Sequence, residues 1–360
     1  MQAPASRRTY LDVLRGVAVL VMIEAHVIDS WTRDADRLSR AFGESLILGG
    51  FGAPLFLFLA GVAASMSAGS KARRSGDPAA AVLAVQKRGV QIFFLALAFR
   101  LQSLVVSHGE AWTLLKVDIL NVIGPSIVLA AALWGAVKSP PARLAVFALS
   151  TAAIVWLTPV VREAAWLAAL PDWAEAYIRP IPGLTNFTFL PWAAFVTAGA
   201  FVGVLLDNAR TAAADRRVNI ALGAGGAAMA IAAYEASFLP ALSAGSRFWT
   251  TSASFFFMRL GVMIVALALA YVWEQRPVRH WSPMQLLGRT SLFIYWIHVE
   301  MVYGIVSLSL HRALSLGGAW IALAIFWAFL LLSAALKELF DAWWEDGAVS
   351  PRREGVYARS

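Results

Sequence analysis

In windows of about 19 residues, the chain alternates long apolar runs with short polar breaks. Ten runs are long enough to cross a bilayer as helices: residues 11–30, 46–68, 89–107, 117–137, 144–160, 187–206, 218–238, 254–274, 290–309 and 318–336. About 20 apolar residues at roughly 1.5 Å each cover the hydrocarbon core, which is what such a run needs in order to span. The run at Leu11 to Ser30, LDVLRGVAVLVMIEAHVIDS, breaks the pattern by carrying Asp12, Arg15, Glu24, His26 and Asp29. Charge in hydrocarbon costs several kcal/mol, so these residues are expected to face a protein interior or a watery cavity. Arg15 and His26 are eleven residues apart, which puts them within roughly 20° of one helix face and roughly 16 Å apart along the axis. Asp12 and Asp29 flank that face, and Glu24 lies opposite it.

Composition fixes the class. The chain has 360 residues, of which 59% are hydrophobic and 14% charged, with a mean hydropathy of +0.67. That is too apolar for a soluble protein of this length, and the pattern predicts an all-α integral membrane protein, a bundle of about ten transmembrane helices. Residues 1–345 read as a single transmembrane domain, and 346–360 as a polar, disordered tail. The basic start before the first run resembles a signal peptide. It lacks a small-residue cleavage site, so it is expected to be retained.

There is no cysteine, which excludes disulfides and thiolate catalysis. The five histidines form no HxxxH or HExxH pair, and no metal site is expected. The net charge of +8 would suggest nucleic acid in a soluble protein, but here the positive residues sit mostly in short inter-helix loops. Nineteen Lys and Arg fall on the side of the N-terminus, eight on the other and three inside spans. By the positive-inside rule this puts both termini in the cytoplasm. The longest outer connection, Val161 to Asn186, is rich in Trp and Pro. It reads either as a cap over an outward mouth or as a loop resting on headgroups. GGFGAPLFLFLAGVAASMS, from Gly49, is rich in small residues and reads as a helix-packing face.

Two further stretches carry polar groups into the membrane. In LLGRTSLFIYWIHVEMVYG (Leu286 to Gly304), Ser291, Tyr295 and His298 form one stripe at i, i+4 and i+7. Such a stripe can line a substrate cavity or bind helices together by hydrogen bonds. Arg289, at its inner end, can be a loop anchor or a phosphate ligand. KVDILNVIGPS, opening the fourth span, offers Asp118 and Asn121 near the outer face. They can bind a sugar, or Asp118 can pair with Arg100 or Arg259. On the first helix, Arg15 can hold the phosphates of a long anionic ligand entering from the cytoplasm, and coenzyme A has a matching length. Neutral His26 can serve as general base at the reactive end, oriented by Asp29. The bland alternatives are an Arg reaching out to headgroups and a His bonded within the bundle.

These stretches resemble the transmembrane acyltransferase superfamily, which includes the acyltransferase 3 proteins and the relatives of heparan-alpha-glucosaminide N-acetyltransferase. LDVLRGVAVLVMIEAH is similar to its first-helix signature and LGRTSLFIYWIHVEMVYG to its late-helix signature. GGFGAPLFLFLAG and VDILNVIG are similar to its second-helix and mid-chain blocks. The likeness runs from Thr9 to the tenth span. It implies transfer of an acyl group, acetyl above all, from cytoplasmic acetyl-CoA or another acyl-CoA to a hydroxyl or amine of an extracytoplasmic sugar or glycan, in a bacterial inner membrane. By motif, His26 takes the place of the catalytic histidine and Arg15 that of its partner. The heparan-type branch can carry Asn at the first-helix position and a His in the following outer loop. Here that loop, TRDADRLSRAF, has no His, and the base falls to His26. A proton-coupled transporter or lipid or glycan flippase using Glu24, His26 and His298 is the alternative, although no matching broken segments mark inverted repeats.

Overall fold

A computed structural model describes residues 8–107, 110–241, 243, 245–275 and 282–349. In chain order the helices are α1 (Thr9–Trp31), α2 (Asp34–Arg37), α3 (Arg40–Gly49), α4 (Gly52–Ser75), α5 (Pro78–Ser107), α6 (Ile119–Ala136), α7 (Pro140–Arg162) and α8 (Asp172–Glu175). They continue with α9 (Phe189–Asn208), α10 (Ala212–Ala236), α11 (Phe248–Thr251), α12 (Ala253–Glu274), α13 (Pro283–Arg289), α14 (Ser291–Tyr303) and α15 (Leu316–Val349). Short 3-10 turns lie at Ala111–Leu115, Ala165–Ala169 and Ile305–Leu310. Among the described residues the only extended pairings are two isolated bridges, Thr32 with Leu314 and Val117 with Thr185. Eight stretches are long and apolar enough to cross a membrane: Arg40–Ser75, Pro78–Val105, Ile119–Ala136, Pro140–Arg162, Phe189–Asn208, Ala212–Ala236, Ala253–Glu274 and Leu316–Trp344. The chain is therefore an all-α integral membrane protein.

The other two runs expected to span, 11–30 and 290–309, are not among those eight. Helix α1 is continuous but carries four Asp, Glu and Arg side chains in its 23 residues. The run 290–309 is broken: α14 ends at Gly304, whose N–H bonds back to the Glu300 carbonyl, and a 3-10 turn follows. These are the two stretches that carry His26 and His298. Helix α15 continues to Val349, and residues 350–360 of the expected tail lie outside the described residues, as do Arg7, Arg276 and Arg279 of the charge tally.

The described residues fall into two compact units, Met1–Leu11 with Ala53–Arg276, and Asp12–Gly52 with Pro277–Ser360. In the first, helices meet where glycine replaces a side chain. A Cβ on Gly61 of α4 would lie 1.9 Å from the Val196 carbonyl of α9, and one on Gly199 would lie 1.9 Å from the Phe58 carbonyl. Small residues let backbones close to this distance, and packing rather than hydrophobicity then holds membrane helices together. The pairs Gly89 with Gly124 and Gly226 with Gly261 bring α5 to α6 and α10 to α12 in the same way. A buried hydrogen bond of 2.7 Å between Thr151 and Thr197 joins α7 to α9.

The second unit is built round α1. A Cβ on Gly16 would lie 2.0 Å from the Met284 carbonyl of α13, and one on Gly288 would lie 1.9 Å from the Asp12 carbonyl. The glycines of the LRG and LGR motifs thus make one backbone-to-backbone crossing. At the far end, α1 is stitched to the segment after α14. Arg312 N–H donates to the Ser30 carbonyl, Leu314 N–H to Trp31, and Arg33 N–H to Leu314. Four donors converge on the Val302 carbonyl at the end of α14: Ser30 Oγ, Trp31 Nε1, Ser307 Oγ and His311 Nε2. The Asp36 carboxylate accepts from the Leu316 N–H at 2.8 Å; that bond, then the one from Arg33, holds its pKa below the ordinary value.

Candidate active site

With α1 clamped at both ends against α13 and α14, their histidines meet. His26 Nδ1 lies 2.9 Å from His298 Nε2, although 272 residues separate the two in sequence. The rings are nearly coplanar, 12° apart with centroids at 5.1 Å, as an in-plane N–H···N bond requires. His298 is completely buried, and its Nδ1 sits 3.0 Å from the Ile294 carbonyl one turn back. That carbonyl can only accept, so His298 Nδ1 is the donor and its Nε2 carries the lone pair. His298 Nε2 in turn accepts from Nδ1–H of half-buried His26, which leaves the His26 Nε2 outside this bond. The partner of one ring nitrogen sets the chemistry of the other. Tyr303 and Tyr295 pack edge-on against His26 and His298, each at 5.4 Å.

The residues singled out from sequence divide accordingly. His26, His298 and Tyr295 come together; Ser291 opens α14 two turns before His298 and is half-buried. Asp29, expected to orient His26, is engaged by Arg37. Its carboxylate takes Arg37 at 2.9 Å, and Arg37 also donates to the Asp29 carbonyl, because the loop after α1 folds back onto the helix. His298 holds the place expected of Asp29. Arg15 pairs with the buried Asp12 at 3.0 Å, so the guanidinium at one end of the polar face is ion-paired. Arg289 makes a two-pronged pair with Glu338 of α15, at 2.8 and 3.1 Å.

In the first unit, Asp118 and Asn121 do structural work. Asp118 caps α6, and Asn121 returns the bond to the Asp118 N–H at 3.1 Å, a capping box. The second oxygen of Asp118 takes Arg100 at 2.6 Å, the ion pair weighed from the sequence. Reading D-x-x-N at a helix start as a cap would have found this. His311, not singled out from the sequence, bonds the Val302 carbonyl and Ser307. The three histidines among the described residues therefore all lie in the second unit. Glu24 is 1% exposed, packs against Gly49, and has no hydrogen-bond partner for either carboxylate oxygen.

The class of this helical membrane protein comes from comparison with known families, which gives the transmembrane acetyltransferase type. Residues 7–233, more than half of the chain, match the model described as heparan-alpha-glucosaminide N-acetyltransferase, catalytic. The chain belongs to that family. The match includes α1 with Arg15 and His26 and ends before α14 with His298. No curated protein matches the chain.

Proposed function

We propose that the protein transfers an acetyl group from cytoplasmic acetyl-CoA to a hydroxyl or amine of an extracytoplasmic sugar or glycan, with His26 as general base. The observation that carries this reading is the bond from His26 Nδ1 to His298 Nε2, backed by Ile294. It leaves His26 Nε2 as the nitrogen that takes the proton from the attacking oxygen or nitrogen. That atom bonds to the thioester carbonyl carbon, the carbon–sulfur bond breaks, and the thiolate leaves with the proton returned by the imidazolium. His298 is a positioning residue: its bond fixes the tautomer and place of the His26 ring.

The donor is an anion as long as the Arg15–His26 separation, so its phosphates fall to Arg15. Arg289 can add a contact only by exchanging Glu338. With both termini cytoplasmic, as the loop charges imply, the His26 end of α1 lies toward the outer leaflet of an inner membrane. Purified full-length protein should therefore consume labelled acetyl-CoA and release free thiol when a sugar acceptor is present. No turnover above a heat-denatured control across a panel of hydroxyl and amino sugars would overturn the reading. The buried, unpartnered Glu24 favours a second reading, proton-coupled transport, which predicts uptake into vesicles driven by a proton gradient without any acyl donor.

A further inference from the structure

In the first unit, the ends of α4, α6 and α9 and the starts of α5 and α7 surround a cavity of about 280 Å³. It lies on the side that the loop charges put in the cytoplasm, and it holds none of the residues of the histidine centre. Arg73, Lys138, Arg143 and Arg210 line it, against one acidic side chain, Asp207. Asp207 is already engaged, holding Arg73 in a two-pronged pair at 2.5 and 2.6 Å. Asp77, beside the Pro78 wall, turns its carboxylate to the N–H groups of Ala79 and Ala80 instead. Lys138 and Arg210 are exposed and form no ion pair among the described residues. Arg143 is fixed in place. Its Nε donates to the Trp134 and Val137 carbonyls at 3.0 and 3.2 Å, and its Cζ lies 3.5 Å from the centre of the Trp134 ring. These contacts use one edge and one face of the guanidinium and leave its two outer nitrogens for a ligand.

Four cations facing one carboxylate leave an excess of positive charge that a single phosphodiester does not balance and a headgroup with two phosphates does. The planar fork of Arg matches phosphate oxygens two at a time, and a guanidinium held beforehand loses little freedom when it binds. Basic pockets between membrane helices on the cytoplasmic side are the usual seats of anionic lipid headgroups. The helices that begin at the cavity suit the rest of such a molecule. Helices α5 and α7 bury only 17% and 28% of their most apolar stretch inside the protein, so acyl chains can lie along both. We propose that this cavity binds the headgroup of an anionic phospholipid carrying two phosphates, with one phosphate on the outer nitrogens of Arg143 and with Lys138 and Arg210 adding charge.

Fluorescently labelled diphosphatidylglycerol should bind saturably to the purified full-length protein in detergent, and unlabelled phosphatidylcholine should displace it at least tenfold less well than the unlabelled lipid. Lys138→Gln together with Arg210→Gln removes two exposed charges without touching the packing, and should weaken binding about tenfold or more. Asp207→Asn works in the opposite direction. It removes the one negative charge and releases Arg73, so binding should tighten severalfold, whereas a site that owes nothing to charge predicts no gain. Displacement by inorganic pyrophosphate as strong as by the lipid would mark a soluble phosphate and overturn the lipid assignment. Equal binding of phosphatidylcholine, or unchanged affinity in the folded Lys138→Gln, Arg210→Gln double variant, would overturn the proposal.

Discussion

His26→Ala is expected to lower the turnover of acetyl transfer about 10²–10⁴-fold, the usual contribution of a positioned general base. The fold should survive, because His26 is half-buried, with a modest fall in melting temperature from the stranded lone pair of buried His298, about 1–3 kcal/mol. The informative companion is His298. His298→Phe fills the space but cannot accept from His26 Nδ1–H, so the wrong tautomer of His26 becomes available and kcat should fall with KM little changed. In His298→Gln the side-chain carbonyl can accept that proton, and part of kcat should return. A purely structural role for His298 predicts the opposite order, since Phe preserves the buried apolar packing better than Gln. Steady-state kinetics on the three variants, alongside thermal unfolding, separates the two.

The second large effect is structural and bears on the same centre. Adding one carbon at Gly16 or Gly288 places it about 2 Å from a backbone carbonyl of the opposing helix. Backbone cannot swing aside as a long side chain would. Gly16→Ala and Gly288→Ala should therefore each cost at least the ~1–3 kcal/mol typical of overpacking and push α1 off α13. Transfer should fall with stability in both, because the crossing fixes the register that brings His26 to His298. Thermal unfolding in detergent checks this. Melting temperatures equal to the unmodified protein would mean that α1 and α13 do not cross as closely as described.

These two effects also mark where sequence reasoning reached the site and where it stopped. The shared face of Arg15 and His26 follows from helical period alone, and α1 is one unbroken helix through both. The stripe of Ser291, Tyr295 and His298 was legible for the same reason. What spacing could not supply was the meeting of the two stripes, since it depends on a crossing set by two glycines 272 positions apart. Asp29 illustrates the converse. One turn from His26 it was within reach by periodicity, but Arg37 lies only eight residues on, at the end of the short helix α2, whose return no local pattern announces. At Asp118 and Asn121 the capping box was not anticipated, because two polar residues at a helix start suit a cap as well as a sugar. The break at Gly304 was hidden inside an apolar run that hydropathy alone treats as continuous.

The central claim is that acyl donor and imidazole meet beside α1, and a structure of the protein with a non-hydrolysable acetyl-CoA analogue tests it most directly. The account predicts the analogue's phosphates at Arg15 and its acyl carbonyl within one acceptor molecule of His26 Nε2, with the His26–His298 bond intact. An analogue bound with its acyl end away from His26, or a His26 side chain turned toward lipid in that complex, would contradict it.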